Sequence, residues 1–503
     1  MTPLVAWEAL PLAVVLSSLV PGIGIMLLGE EAQRARITLN LLGAVAKVVL
    51  VGFMLQGVGA GASYAWRFTV LPGLEFSLVG DALALLFVTL SAVLWLVTTV
   101  YAIGYLEGGE NRRRFFSFFS LCVTATTGLA MAGDLFTFVL FYEALTWTTY
   151  PLVVHRGTPE AIQAGRRYLV YTLVSGTVLV LGAVWFQVET GGVAFQSGGV
   201  VDPEVAAAAP GRYLALFLVL LAGASVKAAL FPVHGWLPVA MVAPAPVSAL
   251  LHAVAVVKAG AFALIRLLHS LFGIEVASDI GAAGIVAVLA AVTILYGSIR
   301  ALNQDDLKRL LAFSTVSQLS YVALGVALLT PTAQIGGLVH LVHQGIMKIT
   351  LFFCAGLLAH TLGVKKISQM GGVARRMPLT MMAFTVAALG MIGIPPVAGF
   401  LSKWYLGVGA MEAGMPWVVG VLLASSLLNA AYFLPVIRTA YLDATPDRWP
   451  SEGDARFGRI EADVRLLVPA LVVAFLALAS GVFGGSPWSP LGWTELIVGR
   501  GDL

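Results

Sequence analysis

Five lysines stand inside the long apolar stretches of this 503-residue sequence: Lys47, Lys227, Lys258, Lys348 and Lys403. The same stretches hold one carboxylate, Glu143 in LFYEALTWTTYP, and three imidazoles, His252, His340 and His343. A lysine at the centre of a bilayer costs ~2.5–3.5 kcal/mol on an insertion scale. Five cost on the order of 15 kcal/mol, comparable to the stability of a whole protein. Leucine would remove that cost, so a purely structural reason for all five is hard to sustain. Lysine, histidine and water in series form what a proton relay through hydrocarbon requires. At ~6 Å and an effective dielectric of ~20, a carboxylate stabilises an ammonium by roughly 2.8 kcal/mol, about a hundredfold in proton affinity. Glu143 moving toward or away from Lys227 would therefore load or unload a proton.

Other polar residues carry weaker readings. Lys47 sits mid-helix without a motif, and a packed charge and a functional one fit it equally. Lys308 and Arg309, in NQDDLKRLLAFSTVSQ, open a helix behind Asp305 and Asp306 and read mainly as interfacial anchors. His155, His234, His269 and His360 lie near span ends, where snorkelling and capping are the ordinary roles. In HLVHQGIMK, His340, Gln344 and Lys348 fall within an arc of about 80° at ~100° per residue, with His343 beside it. That stripe argues for a wet cavity. Two helices read as broken: GASVKAALFPVHGWLP, with Pro232 after Lys227, and GMIGIPPVAGFLSKW, with Pro395 and Pro396 before Lys403. Freed backbone groups at membrane depth need protein or water beside them.

Hydrophobic residues make up 59% of the chain and charged residues 11%, against about 25% charged in soluble domains. This excludes a soluble enzyme, a nucleic-acid binder and a secreted scaffold. Stretches long enough to cross a bilayer are read near 9–29, 37–58, 81–106, 115–132, 134–155, 167–188, 212–232, 245–270, 278–300, 308–329, 333–362, 378–405, 414–440 and 463–484. The fold expected is an all-α polytopic membrane protein of about fourteen helices. The first stretch reads as a span, not a signal peptide, because Glu8 stands where a basic region belongs. Twenty basic residues fall in the loops after odd-numbered helices, from Arg34 to Arg465, and four, Arg67, Arg212, Arg266 and Arg500, near the other side. The positive-inside rule then places both termini outside. No GxxxxGK[ST], GxSxG or HExxH occurs. Gly57, Gly59 and Gly61 read as a flexible loop after helix 2. Cys122 and Cys354 have neither CxxC nor metal-like spacing, and neither a metal nor a cofactor is expected.

The sequence resembles the proton-conducting antiporter-like subunits shared by complex I, membrane-bound hydrogenases and Mrp-type multisubunit cation/proton antiporters. The resemblance runs from about helix 3 to helix 13. It rests on FYEALTWTTYPLV, KAALFPVHGWLP, APAPVSALLHAVAVVKAGAFALIR, DLKRLLAFSTVSQLSYVALG, HLVHQGIMKITLFFCAGLL and GIPPVAGFLSKWYL. Within that family it resembles the D-type Mrp subunit. The resemblance implies fourteen helices, a hydrated polar axis, and two inverted five-helix repeats with breaks in helices 7 and 12. The corresponding divisions are 1–110 (helices 1–3), 111–270 (helices 4–8), 271–441 (helices 9–13) and 442–503 (helix 14 and tail). It implies that Glu143 and Lys227 are the switch, that His252, Lys258, His340, His343 and Lys348 form the relay, and that Lys403 is the exit. The chain departs from the family at Val239 and Met241, where Asp and His are usual. Gln344 also holds the place of the second helix-11 histidine, with His343 shifted by one.

The function expected is a proton-translocating subunit of a multisubunit Na+/H+ antiporter, multi-pass in a bacterial cell membrane. Its partners would be other membrane subunits, protons, and sodium by way of a neighbouring subunit, since one deep carboxylate makes a poor oxygen cage. The alternative is a pumping subunit of a redox-driven complex, NADH-quinone oxidoreductase or a membrane-bound hydrogenase, where it would be part of a translocase. The short stretch after helix 14 argues against the complex I subunit that carries a long lateral helix.

Overall fold

The structure, a computed structural model, describes residues 8–71, 74–106, 108–451 and 461–502. Arg456 and Arg459, two of the twenty basic residues counted above, lie outside the described residues. Helices dominate. The first six are α1 (Leu10–Leu27), α2 (Gln33–Gly59), α3 (Ala82–Tyr105), α4 (Arg112–Ala130), α5 (Leu135–Val153) and α6 (Pro159–Thr190). Then come α7a (Pro210–Ser225), a short helical run α7b (Val233–Val242), α8 (Ala245–Leu271), α9 (Ala282–Leu302), α10 (Leu307–Ala327) and α11 (Pro331–Leu362). Helix 12 is split into α12a (Pro378–Ile392) and α12b (Ala398–Glu412), followed by α13 (Pro416–Leu442), α14 (Val464–Val482) and α15 (Pro490–Arg500). Among the described residues ten helices are long and apolar enough to cross a membrane, while α7a and α12a are shorter apolar pieces. This is a mostly helical polytopic membrane protein.

Local chemistry sets the helix starts. Asp81, Asp134, Thr158, Asp306 and Thr330 each accept a backbone N–H three residues on, meeting donors the first turn leaves free. Gly191 and Gly363 close the two 32-residue helices in the left-handed conformation. The most apolar windows of α8 and α10 are wholly buried and that of α11 is 83% buried, whereas α2, α6 and α13 stand at 33%. The outer helices expose Leu42, Val174, Leu181, Leu427 and similar residues. An apolar rim of that extent suits lipid or other subunits rather than water.

The architecture departs from the sequence reading in four places. It is not all-α: strands β1 (Ala65–Leu71) and β2 (Leu74–Val79) form an antiparallel hairpin with Phe68 opposite Phe76. The hairpin is held to the turn between α4 and α5 by Val79 N–H to Met131 O at 2.6 Å and Gly133 N–H to Ser77 O at 2.9 Å. Gly57 and Gly59 belong to the last turn of α2 rather than to a loop, and Gly57 packs against the Tyr64 hydroxyl. α8 has a break of its own at Val254–Ala255, between His252 and Lys258, and it ends in a wide π turn at Arg266–Leu271. After α14 the chain forms a further helix, α15, whose Arg500 guanidinium caps the end of α2 by donating to Val58 O at 2.7 Å and Gly59 O at 2.9 Å.

Contacts between connections sort them into two ends. Ser197, after α6, donates to Gly501 O, so the α6–α7a loop, the end of α2 and α15 share one end. At the other end Arg113 reaches Leu28 O (3.2 Å), Arg114 reaches His155 O (2.9 Å) and Leu307 N–H reaches Lys365 O (3.0 Å).

Candidate functional site

The sequence places Lys227 inside a helix, but α7a stops at Ser225 and Lys227 lies in the turn that follows. Its ammonium donates to the backbone carbonyl of Tyr142 on α5 and stands 3.5 Å from the centre of the Tyr142 ring. The Tyr142 hydroxyl donates to Gly223 O at 3.0 Å, so α5 and the end of α7a are tied at two points. Gly260 lets α8 pack on the same turn from another side, because a side chain there would meet the backbone of Lys227 and Ala228.

Glu143 is the next residue along α5, midway along that helix, but its side chain is not enclosed by the bundle. It is half-buried, on the same stripe as the exposed Leu140 and Trp147. Its Oε1 is buried against Gly176 of α6 and has no hydrogen-bond partner. Among the described residues Glu143 makes no ion pair with Lys227 within 4 Å. The two groups are neighbours across one residue of α5, near enough to interact and not locked together.

The middle of the row sits between α8 and α11. Lys258 donates to Leu341 O at 2.6 Å and to the side-chain oxygen of Gln344. Gln344 thus anchors Lys258 directly. His252 lies across the α8 break, fully buried, against the Phe352 ring at 4.6 Å between centroids, with neither ring nitrogen bonded. Lys348, on the same stripe of α11, donates to Leu311 O of α10 at 3.1 Å. His340 shares a hydrogen bond with Ser402 of α12b (Nδ1 to Oγ, 2.8 Å) and stacks on Tyr321 at 5.1 Å. His343 is buried beside them with both nitrogens unpaired.

Lys403 terminates the row. α12a ends at Ile392, Gly393 turns the chain at φ +97°, and α12b restarts at Ala398. The Lys403 ammonium donates to two carbonyls at the broken end, Met391 O (3.0 Å) and Ile392 O (2.7 Å), and to Ser426 Oγ of α13 (3.0 Å). The countercharge is the negative end of a half-helix, not an acid. Tyr321 links this end to the middle, with His340 stacked on its ring and Lys403 5.5 Å from its centre.

Between these cations run buried polar atoms with no protein partner: both ends of the Gln318 amide, the Tyr321 hydroxyl, His340 Nε2, Gln344 Nε2 and Thr146 Oγ1. Buried polar groups are rarely left unpaired, and sites with several such atoms are where protein interiors hold water. The arrangement can pass protons between amines, imidazoles and water. Tyr142, Tyr321, Gln318, Ser402, Ser426 and Gly176 belong to this region and were not singled out from sequence. Only Ser402, adjacent to Lys403, carried a signal.

Gly176 yields a direct test. A methyl group there would collide with the Glu143 carboxylate, although alanine favours a helix over glycine by about 1 kcal/mol. Gly176→Ala should therefore accumulate normally and slow proton exchange several-fold. Gly420→Ala, which meets open space, should accumulate normally and leave the rate unchanged. Equal exchange rates in vesicles from the two variants would remove Gly176 from the site.

The family model of the NADH:quinone oxidoreductase/Mrp antiporter, TM, matches residues 132–429, the segment that holds every residue from Glu143 to Lys403 and ends within α13. The N-type subunit of NADH-quinone oxidoreductase from Desulforudis audaxviator is 39% identical over 430 residues, covering 83% of this chain and 85% of that protein. The D-type subunit of the Na(+)/H(+) antiporter from Bacillus subtilis is 28% identical over 414 residues, covering 82% of this chain and 80% of its own. The fold matches a chain of the Mrp complex from Dietzia sp. DQ12-45-1b with a TM-score of 0.86 at 24% identity, over 99% of this chain and 97% of that one. Relatives thus include both antiporter and quinone oxidoreductase subunits. The chain belongs to the NADH:quinone oxidoreductase/Mrp antiporter family of membrane subunits.

Proposed function

We propose that this chain is the proton-translocating subunit of a multisubunit monovalent cation (Na+)/H+ antiporter, working beside other membrane subunits. The observation that carries the reading is the row of buried cations from Lys227 to Lys403. Lys258, Lys348 and Lys403 are held by carbonyls, an amide or a hydroxyl instead of acids. An amine without a fixed carboxylate can give up its proton, as a relay group must. Glu143 and Lys227 act as the loading switch, His252, Lys258, His340, His343 and Lys348 as the relay, and Lys403 as the outlet. The fold is read as fourteen spans, with residues 111–270 and 271–441 as inverted repeats flanked by 1–110 and 442–503. The similar placement of the breaks in helices 7 and 12 supports this division.

A second reading, a pumping subunit of a redox-driven complex, is favoured by the 39% identity to a quinone oxidoreductase subunit. Reconstituting the purified complex in proteoliposomes separates the two. An imposed Na+ gradient should move protons with no electron donor present. Proton movement that requires a reduced donor and a quinone would assign the chain to the second reading.

The chain is placed in a cell membrane with both termini outside, an orientation supported by the basic bias of the odd-numbered loops. Ser197 and Ser451 are both exposed, at opposite ends of the bundle. A membrane-impermeant thiol reagent added to whole cells should label Ser197→Cys and spare Ser451→Cys. The opposite pattern would invert the topology.

A further inference from the structure

Lys47 is fully buried and lies outside the row from Lys227 to Lys403. It is the fifteenth residue of the 27-residue α2, about 20 Å from either helix end at 1.5 Å per residue. Its ammonium donates to Ser18 Oγ of α1 at 2.8 Å and Thr127 Oγ1 of α4 at 2.7 Å, and stands 5.2 Å from the Trp95 ring of α3. Four helices thus converge on one amine.

A hydroxyl ladder leads away from it in one direction only. Thr124 Oγ1 lies 2.9 Å from Ser18 Oγ and 3.0 Å from the backbone carbonyl of Ser120, alternative acceptors for its one proton, and Asn40 Nδ2 donates to Ser120 Oγ at 3.3 Å. One turn further, Arg36 meets Glu30 at the end of the bundle that carries the odd-numbered loops. Toward the other end α2 buries Val51, Met54 and Val58, which are apolar. Along α2 itself the buried polar positions lie on the Arg36 side of Lys47, and the other side is apolar.

The partners distinguish Lys47 from Lys258 and Lys348, while Lys403 also has a hydroxyl, Ser426, beside its two carbonyls. Lys348 has a carbonyl partner and Lys258 a carbonyl and an amide oxygen, which accept from the amine in either state but cannot donate to the lone pair of the neutral one. Ser18 and Thr127 are hydroxyls that now donate to Val15 O and Val123 O, and either can rotate to donate to a neutral amine. Both protonation states of Lys47 are thereby satisfied without moving the backbone. Among the described residues no carboxylate or imidazole faces it: α1 carries no ionisable side chain, α3 only Tyr101 and Tyr105, and α4 only Arg112 to Arg114 at its start and Cys122, which faces Thr149. Ser91 Oγ and Trp95 Nε1, on the adjoining face of α3, are buried and unpaired.

We propose that Lys47 is a second proton-carrying site, fed from the Arg36–Glu30 end through the Asn40–Ser120–Thr124–Ser18 ladder and its water. The amine takes the proton on its nitrogen lone pair and releases it to water held at Ser91 Oγ and Trp95 Nε1, while the hydroxyls pass one proton in for each one passed on. The proposal rests on the proton-translocating reading above.

The test uses the whole complex. Lys47→Met and Lys47→Arg should each accumulate and lower proton exchange at least fivefold, because neither side chain cycles a proton. Exchange at the wild-type rate in either accumulating variant overturns the proposal. Radiolytic hydroxyl labelling of the unmodified complex gives a readout that does not depend on variant folding. Trp95, beside a wet site, should be labelled at least fivefold faster than Trp236, whose Nε1 donates to Val226 O at 2.7 Å. Equal labelling of the two indoles means a dry, structural lysine and overturns the proposal. If Glu143→Gln is inactive while the Lys47 variants are active, only this proposal falls. Activity in all three removes the broader reading.

Discussion

Glu143→Gln is expected to lower cation-dependent proton exchange roughly a hundredfold, the scale of losing one positioned proton-transfer group, with the complex still assembled. Glutamine keeps the shape that fits against Gly176 and removes only the charge. The Glu143 Oε1 has no hydrogen bond to lose, so folding should be nearly indifferent to the change. Lys227 would then keep its bond to the Tyr142 carbonyl and the face of that ring, but lose the variable attraction that changes its proton affinity. Everted vesicles with a fluorescent pH probe, matched for the amount of complex, measure the rate. A wild-type rate would reduce Glu143 to a packing residue on the flank of α5.

Lys403→Arg should abolish exchange while leaving assembly intact. Arginine stays charged at any accessible pH and can still donate to the carbonyls at the end of α12a. What it cannot do is release a proton. Lys403→Leu should also abolish transport, but for its effect on stability the structure reverses the sequence-based expectation. Hydropathy alone makes leucine a relief, since it removes a buried charge. In the structure it strips the donor from Ile392 O, while Met391 O keeps Asn429 Nδ2 at 3.1 Å. One buried carbonyl left unpaired costs about 1–3 kcal/mol, so the leucine variant should accumulate less than the arginine variant. Quantitative immunoblotting and exchange rates test both statements. An arginine variant that transports at the wild-type rate would make Lys403 a fixed countercharge.

The long helices were legible because bilayer-length apolar stretches leave few alternatives, and the breaks after α7a and α12a because proline marks them. The stripe on α11 followed from helical spacing, and Gln344, His340 and Lys348 do turn toward α8, α12b and α10. The break in α8 was hidden, since LHAVAVVK offers neither proline nor glycine there. The hairpin was passed over because two short strands leave a weaker pattern than any span. Depth along a helix also says nothing about which way a side chain faces. Glu143 was read as deep, whereas its neighbours at Leu140 and Trp147 turn that stripe outward. Least legible were the partners of the lysines. Most are backbone carbonyls, which every residue has, so no side chain announces them.

Lys308 read from sequence as an interfacial anchor, yet its ammonium donates to Met241 O at 2.8 Å and Ala243 O at 2.6 Å, at the end of α7b. Three residues on, the Leu311 carbonyl holds Lys348. The first turns of α10 are therefore bolted to α7b on one side and to α11 on the other. Hydrogen bonds from a charged donor contribute ~1.5–3 kcal/mol each, so swinging α7b away from α10 would cost several kcal/mol at this end of the bundle. A carrier that rocks one half of its helices against the other needs that seam to open in every cycle. Here the seam is pinned. The geometry favours a largely stationary frame in which side chains and water rearrange while the helices hold their places.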